Sequence, residues 1–375
     1  MKKMVFFIRS LNAGGAERQL FITAAGLAEL GYDVTVLTLY SGGFYANELA
    51  KTKVQLLSLD KKGRWDQLAF LFRLFKVLRR HSPDVIYSYM GAANILAVLL
   101  RAFIIPVHIV WGVRASNVDL DEYDWLSRWS YWLECKLSRF ADVIIANSNA
   151  GLEYAVEHGF PRQKITVILN GIDIERFYPD KSAGDQRRKL WGIAENESLV
   201  GVVGRIDPMK GIPVFLEAVA MIKQQHSHVR FVWVGIGEAN YEKAMRELAT
   251  QLNLDDVLIW AGHHTDMTAV YNAFDIACSS SYGEGFPNVL GEAMACGVPC
   301  VVTDVGDSAL VVGETGKVVP AKDSKALSSA WHEMLLLNDE AIMSLSVSAR
   351  KRVMNEFSVK ALLDKTGMIM SQGTS

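Results

Sequence analysis

Short apolar runs alternate with helix-length amphipathic segments along almost the whole of this chain, and the alternation starts afresh after residue 180. Strand-like runs fall at 4–8, 34–39, 54–59, 85–89, 107–113, 143–147 and 165–169, then at 199–204, 229–235, 257–261, 276–279 and 299–303. Between them, segments such as 17–30 and 65–80 carry apolar residues at helical spacing. Runs this short, rich in Val and Ile and bounded by glycine, suit strands covered on both faces, which is how a parallel sheet reads. Two such series in 375 residues imply two doubly wound α/β domains, since a single core stops growing near ~250–300 residues. The divide is expected in 170–179, where Asn170-Gly171 ends the seventh strand and Pro179 precedes a polar stretch. That gives Rossmann-like domains at 1–179 and 180–357, with the last helical piece, 358–375, a candidate to pack back on the first. Ligands of open parallel sheets bind beyond the carboxyl ends of the strands, where the crossovers diverge.

The charge balance narrows the partners. A formal charge of −2 argues against nucleic acid. Residues 1–180 nevertheless hold 21 Lys/Arg against 18 Asp/Glu, and 61–80 alone hold seven basic residues and one acidic. The Phe/Leu face of 61–80 reads as core. Its basic face is expected to attract an anionic membrane surface, at about 1 kcal/mol per well-placed cation. The aromatic stretch 125–132 reads as a packed helix, with an acceptor groove as the alternative. Arg9 interrupts the apolar start of the chain, which reads as a first strand rather than a signal peptide. Arg101, Pro106 and His108 likewise break 95–113, so that region reads as a helix then a strand rather than a membrane span. Cys135, Cys278, Cys296 and Cys300 lack metal-ligand spacing and read as reduced thiols. The expected location is cytoplasmic, with peripheral contact at the inner face of the membrane.

Three βα loops carry chemistry. Glu284-Gly-Phe286-Pro287-Asn288-Val289-Leu-Gly-Glu292 places two carboxylates around a helix start, with Pro287 expected in the first turn. Exposed amides there make a seat for a phosphate, and a carboxylate on each side can accept hydroxyls from both halves of a nucleotide-sugar. In Gly204-Arg205-Ile-Asp207-Pro-Met-Lys210-Gly211 two cations five apart can grip a diphosphate, Arg205 bidentately and Lys210 as a point charge. The plain alternative is a solvated turn. Gly14-Gly15-Ala16-Glu17 joins the first strand to the first helix without a Walker lysine or a Gly-x-Gly-x-x-Gly pattern. Gly235, Gly237 and Gly262 end neighbouring strands and are expected to contact a base or phosphate. His263-His264 is a weak metal signal, and no metal or cofactor is expected.

These elements together resemble the retaining glycosyltransferases of family four, which have the GT-B fold. The likeness spans nearly the whole chain, and Glu284-x7-Glu292 running into Ala-Met-Ala-Cys-Gly297-Val-Pro299 is its most specific part. It implies two Rossmann-like domains facing a cleft and transfer of a sugar from a UDP- or GDP-linked donor to a glycan or lipid-linked acceptor. By the resemblance, Glu292 binds ribose hydroxyls, Glu284 the transferred sugar, and Arg205 and Lys210 the departing diphosphate. Amides around Phe286, Pro287, Asn288 and Val289 hold sugar and phosphate, and Gly15 reaches the phosphates on closure. The resemblance also implies retention of anomeric configuration without a divalent ion. The chain departs from its relatives where they carry acceptor-side histidines, reading Tyr87-Ser-Tyr89-Met-Gly-Ala-Ala-Asn94 and Trp111-Gly-Val-Arg114 instead. Asn94 and Arg114 are the residues expected to take over acceptor contacts. The competing readings are a catalytically silent nucleotide-sugar-binding module and a nucleotide-sugar epimerase, the latter lacking a visible acid/base set.

Overall fold

The computed structural model describes residues 2–62, 66–103, 106–114 and 125–372. The chain divides into two compact units, residues 1–171 with 359–375, and residues 172–358. The boundary thus falls eight residues before the expected Pro179. Residues 172–180 are fastened to the second unit: Ile172 N–H donates to the Phe357 carbonyl at 2.7 Å. Asn272 grips the Tyr178 carbonyl and the Asp180 amide at 2.9 and 2.6 Å.

The first unit is built on β1 (Lys3–Ile8), β2 (Asp33–Thr38), β3 (Gln55–Ser58), β4 (Val85–Tyr89), β5 (His108–Val113), β6 (Val143–Ala146) and β7 (Ile165–Val167). All pair in parallel in the order β3-β2-β1-β4-β5-β6-β7. Phe6 and Phe7 are both fully buried, on opposite faces, so β1 is apolar throughout rather than alternating. Phe6 packs with Leu20 and Leu27 of the helix Gly15–Glu29 and with Leu362 and Met370 of the helix Val359–Gln372. Gly26 allows that last helix to close in, since a Cβ there would stand 2.4 Å from Leu363. Phe7 meets Leu74, Leu78, Ala97 and Trp111 on the other face.

The second unit holds β8 (Ser198–Val203), β9 (Val229–Val234), β10 (Leu258–Gly262), β11 (Ile276–Ser279), β12 (Cys300–Thr303) and β13 (Lys317–Val319). Its parallel order is β10-β9-β8-β11-β12-β13. The helices Ile212–Lys223 and Ser324–Leu335 cover one face, where Phe215 meets Trp331 edge-on at 5.7 Å. Each such fully buried aromatic is worth about 1.5–3 kcal/mol in transfer alone. β13 is absent from the sequence reading: three residues, two of them exposed, are too few to show a period. The crossovers diverge between β1 and β4 in one unit and between β8 and β11 in the other, which makes the loops after those strands the natural ligand positions. Among the described residues no helix is long and apolar enough to cross a membrane.

Candidate active site

Two loops meet beyond the carboxyl ends of β8 and β11. The β8 loop runs through the short turn Pro208–Lys210, capped by Asp207 Oδ1 accepting from Met209 N–H at 2.9 Å, to Gly211 at φ 63°. Gly211 is required there twice over. Its φ is left-handed, and a Cβ would stand 2.0 Å from the Ser280 carbonyl oxygen. From Gly211 the chain enters the helix Ile212–Lys223 with Pro213 in its first turn. Two further bonds lock the loops together, and a third ties the β11 loop to the end of β12. Ser280 Oγ donates to the Lys210 carbonyl and Tyr282 N–H to the Met209 carbonyl, both at 2.8 Å. Thr303 Oγ1 donates to the Ser281 carbonyl at 2.7 Å.

This scaffold brings Lys210 Nζ to 2.5 Å from Glu284 Oε1, which also accepts from Ser281 Oγ at 2.7 Å. Both side chains are partly buried, at 23% and 14% exposure, so the pair is shielded more than a surface bridge. Both bonds land on Oε1, and Oε2 takes no partner among the described residues. Lys210 carries three donors and spends one on Glu284. The pair can therefore offer an ammonium to a phosphate and a carboxylate oxygen to sugar hydroxyls at one place.

The other expected residues are distributed differently. Arg205 is 80% exposed, and its ion-pair partner is Asp207 at 3.5 Å; the structure does not join it to Lys210. Pro287 is the residue before the helix Asn288–Ala295, not within its first turn, and no side chain caps that helix. Phe286 is buried and edge-on to Phe357, while Asn288 and Val289 open the helix. Glu292 does not flank the seat in the open: it is 3% exposed and accepts from Tyr271 OH at 2.8 Å. The helix is buried all round from Leu290 to Ala295, and Glu292 is enclosed with it. Crowding by itself requires glycine at Gly235 and Gly237. Cβ atoms there would stand 2.0 Å from the Gly204 oxygen and 2.1 Å from the Ile206 oxygen. Gly262, at φ 70° with nothing within 4 Å of an added Cβ, satisfies a turn. A groove of about 710 Å³ along the helix Ala239–Gln251 is lined by Glu242 and Arg246 and includes neither Lys210 nor Glu284.

In the first unit, Gly14 caps the helix Gly15–Glu29, Gly15 is exposed, and the Glu17 carboxylate folds back to 2.2 Å from where a Gly14 Cβ would stand. The Glu17 carboxylate therefore lies beside Gly14, and no side chain caps the helix. Asn94 is fully buried, accepting from Ser88 Oγ at 2.8 Å and donating to Glu134 Oε1 at 2.7 Å. Its amide is used up inside the unit, which corrects the acceptor role. Burial pushes the Glu134 carboxyl above its ordinary range, against the Asn94 and Gly91 donors that favour its ionised form. Arg114 donates to Asn170 Oδ1, Tyr87 OH and Tyr89 OH at 3.0–3.1 Å and lies over the Tyr89 ring. It braces the ends of β4 and β5 instead of reaching outward. Among the described residues no three His, Cys, Asp or Glu side chains gather as a metal site. Burial pushes the Cys296 and Cys300 thiols up to about 12 and Cys135 to about 11, so none is a nucleophile at neutral pH.

Sequence reasoning missed Ser280, Ser281, Thr303 and Tyr271, which hold the loop and its carboxylates. The run Ser279-Ser280-Ser281 at a strand end was the available signal: small hydroxyls fit where two loops touch and can each satisfy a buried carbonyl or carboxylate.

Comparison with known proteins bears on the fold and the class of activity. The family model for Glycosyltransferase Family 4 matches residues 13–176, and that for glycosyl transferases group 1 matches 197–336. An Escherichia coli UDP-Gal:alpha-D-GlcNAc-diphosphoundecaprenol alpha-1,3-galactosyltransferase is 26% identical, over 79% of this chain and 77% of its own. A Mycolicibacterium smegmatis D-inositol 3-phosphate glycosyltransferase is 28% identical, over 96% and 87%. The crystal structure of Anabaena HepE in complex with UDP superposes with a TM-score of 0.85 at 22% identity, covering 99% of this chain and all of the other. Fold and relatives define a glycosyltransferase of the GT-B fold. Within that class, the chain belongs to glycosyltransferase family four.

Proposed function

We propose that this enzyme transfers a sugar, with retention, from a UDP-linked donor to a lipid-diphosphate-linked or other glycan acceptor in surface-polysaccharide synthesis. The Lys210–Glu284 pair at the β8/β11 divergence carries the reading. Negative charge grows on the departing diphosphate during transfer, so a preorganised ammonium beside it is worth more in the transition state than in the ground state. Lys210 supplies that cation, and Glu284 Oε2 fixes the hydroxyls of the transferred ring. Arg205, held loosely, swings onto the diphosphate from solvent. Glu292 accepts ribose hydroxyls by sharing its carboxylate with Tyr271. Acceptor attack from the face that the diphosphate leaves, with a phosphate oxygen taking the acceptor proton, gives retention and leaves Glu284 an orienting group rather than a nucleophile. No divalent ion is called for, since lysine and helix-start amides supply the positive field. UDP is favoured over GDP by the UDP-Gal relative and the UDP-bound HepE neighbour.

The test is acceptor-dependent release of nucleoside diphosphate from a panel of UDP- and GDP-sugars. Lys210→Ala and Glu284→Gln should each lower kcat by ~10²–10³ with native circular dichroism. Unchanged turnover in either variant sinks the assignment, and product with inverted anomeric configuration sinks the mechanism.

A further inference from the structure

The helix Trp125–Leu137 buries Glu134 on one side, yet leaves Trp125, Trp129 and Trp132 at 77%, 53% and 54% exposure. The stretch 125–132 does not pack away as expected. The spacing of four and three residues puts these rings on one face, and among the described residues they are the exposed tryptophans of the chain. Beside them lies a groove of about 310 Å³ lined by Arg128, Trp132, Lys136 and Arg139. Arg139 Nε donates to the Lys136 carbonyl at 3.0 Å, which holds the guanidinium along the groove.

The surface continues. Arg101 Nη1 donates to the carbonyl of exposed Phe140 at 2.9 Å, and exposed Phe103, two residues on, sits edge-on against Phe75 of the helix Gln67–His81. Phe72 is exposed on that same helix. Lys76, Arg79, Arg80, Arg128, Lys136 and Arg139 are exposed across these helices, and their one acid, Glu134, is buried. A protein partner would normally meet mixed charge. Within the described residues of these two helices the exposed charges are all cations, with Glu157 exposed beside the groove, and cations set among aromatic rings suit lipid phosphates below and an indole-deep headgroup layer.

We propose that this face of the first unit docks on an anionic phospholipid bilayer, with the helix Trp125–Leu137 lying in the headgroup plane. Trp125, Trp129 and Trp132 enter the interface, and Lys136 and Arg139 bind lipid phosphates in the groove. The helix Gln67–His81, expected from sequence to make this contact alone, serves as its flank. Residues 63–65 of the basic 61–80 stretch lie outside the described residues.

The test is flotation of the full chain with phosphatidylcholine vesicles, with and without phosphatidylglycerol. Binding should need the anionic lipid and fall away in ~0.5 M salt, where charges are screened within a few ångströms. The triple variant W125S/W129S/W132S should bind at least about tenfold more weakly. The double reversal K136E/R139E should cost more than about fivefold per charge, since each cation is both lost and opposed. If the triple variant does not fold, the double reversal and the salt titration decide alone. Absence of vesicle binding, binding indifferent to both variants, or lipid-free self-association that the triple variant abolishes would each overturn the proposal. Nucleoside diphosphate release in free solution reads the transfer chemistry separately, so the two failures are distinguishable.

Discussion

Lys210 and Glu284 are 74 residues apart in the chain, and their meeting rests on Gly211, the glycine that closes the first motif. Gly211 lets the β8 loop lie directly against the Ser280 carbonyl. Gly211→Ala combines a left-handed φ with a clash against backbone, which cannot rotate away. The variant should lose on the order of 2 kcal/mol in urea unfolding, and its kcat should fall further than that stability loss explains, because the Lys210–Glu284 distance is set by this contact. Both members of the pair were legible as site residues from chemistry and spacing. Their mutual bond was not, because opposite charges read as separate ligand contacts can also satisfy each other. Glu292 shows the same gap: a carboxylate inside a helix was visible, but Tyr271, which makes its burial tolerable, is 21 residues away.

Among the elements, the helices Gly91–Leu100 and Trp125–Leu137 are tied by Asn94 and Glu134. The Glu134 carboxyl sits above its ordinary value near 4.5 because burial disfavours its charge. The native state therefore holds this proton more tightly than the unfolded chain does. The resulting stabilisation is complete below the ordinary value and is lost as pH rises through the raised native value. Glu134→Gln keeps an acceptor for Asn94 but has no charge to bury. Its melting temperature relative to the parent protein should rise from about pH 4.5 upward and then level off; a gap that stays flat or shrinks with pH contradicts the assignment. Strands were legible because parallel-sheet runs are apolar throughout and stop at glycine. Which face of the helix Trp125–Leu137 is buried was not, since tryptophan spacing is equally consistent with core and surface. Charge supplies the missing cue, with the acid turned inward and the cations outward.

Taken whole, the molecule is two parallel α/β units, and the first is discontinuous in sequence: its helix Val359–Gln372 arrives after the entire second unit. The restart of the strand pattern near 180 revealed the two units, whereas the true boundary at 171/172 depends on the Ile172–Phe357 bond, a pairing between residues 185 positions apart that no local pattern encodes. Removing 359–375 should uncover the Leu20, Leu27 and Phe6 surface. Calorimetry should then show the first unit's transition lowered or lost while the second unit's stays within about 2 °C, as expected for independent cores. A single transition shifted as one block would mean the units unfold together.

That returning helix also orders events at the ribosome. Residues of the first unit emerge first, yet the surface containing Leu20 and Leu27 stays bare until Leu362 and Met370 are made. The second unit, translated in between, has all its strands before then and can finish while its elder neighbour waits. A message cut short between residue 200 and the start of that helix at Val359 would therefore release a chain with greasy β1 flank exposed, a substrate for chaperones rather than a half-working enzyme.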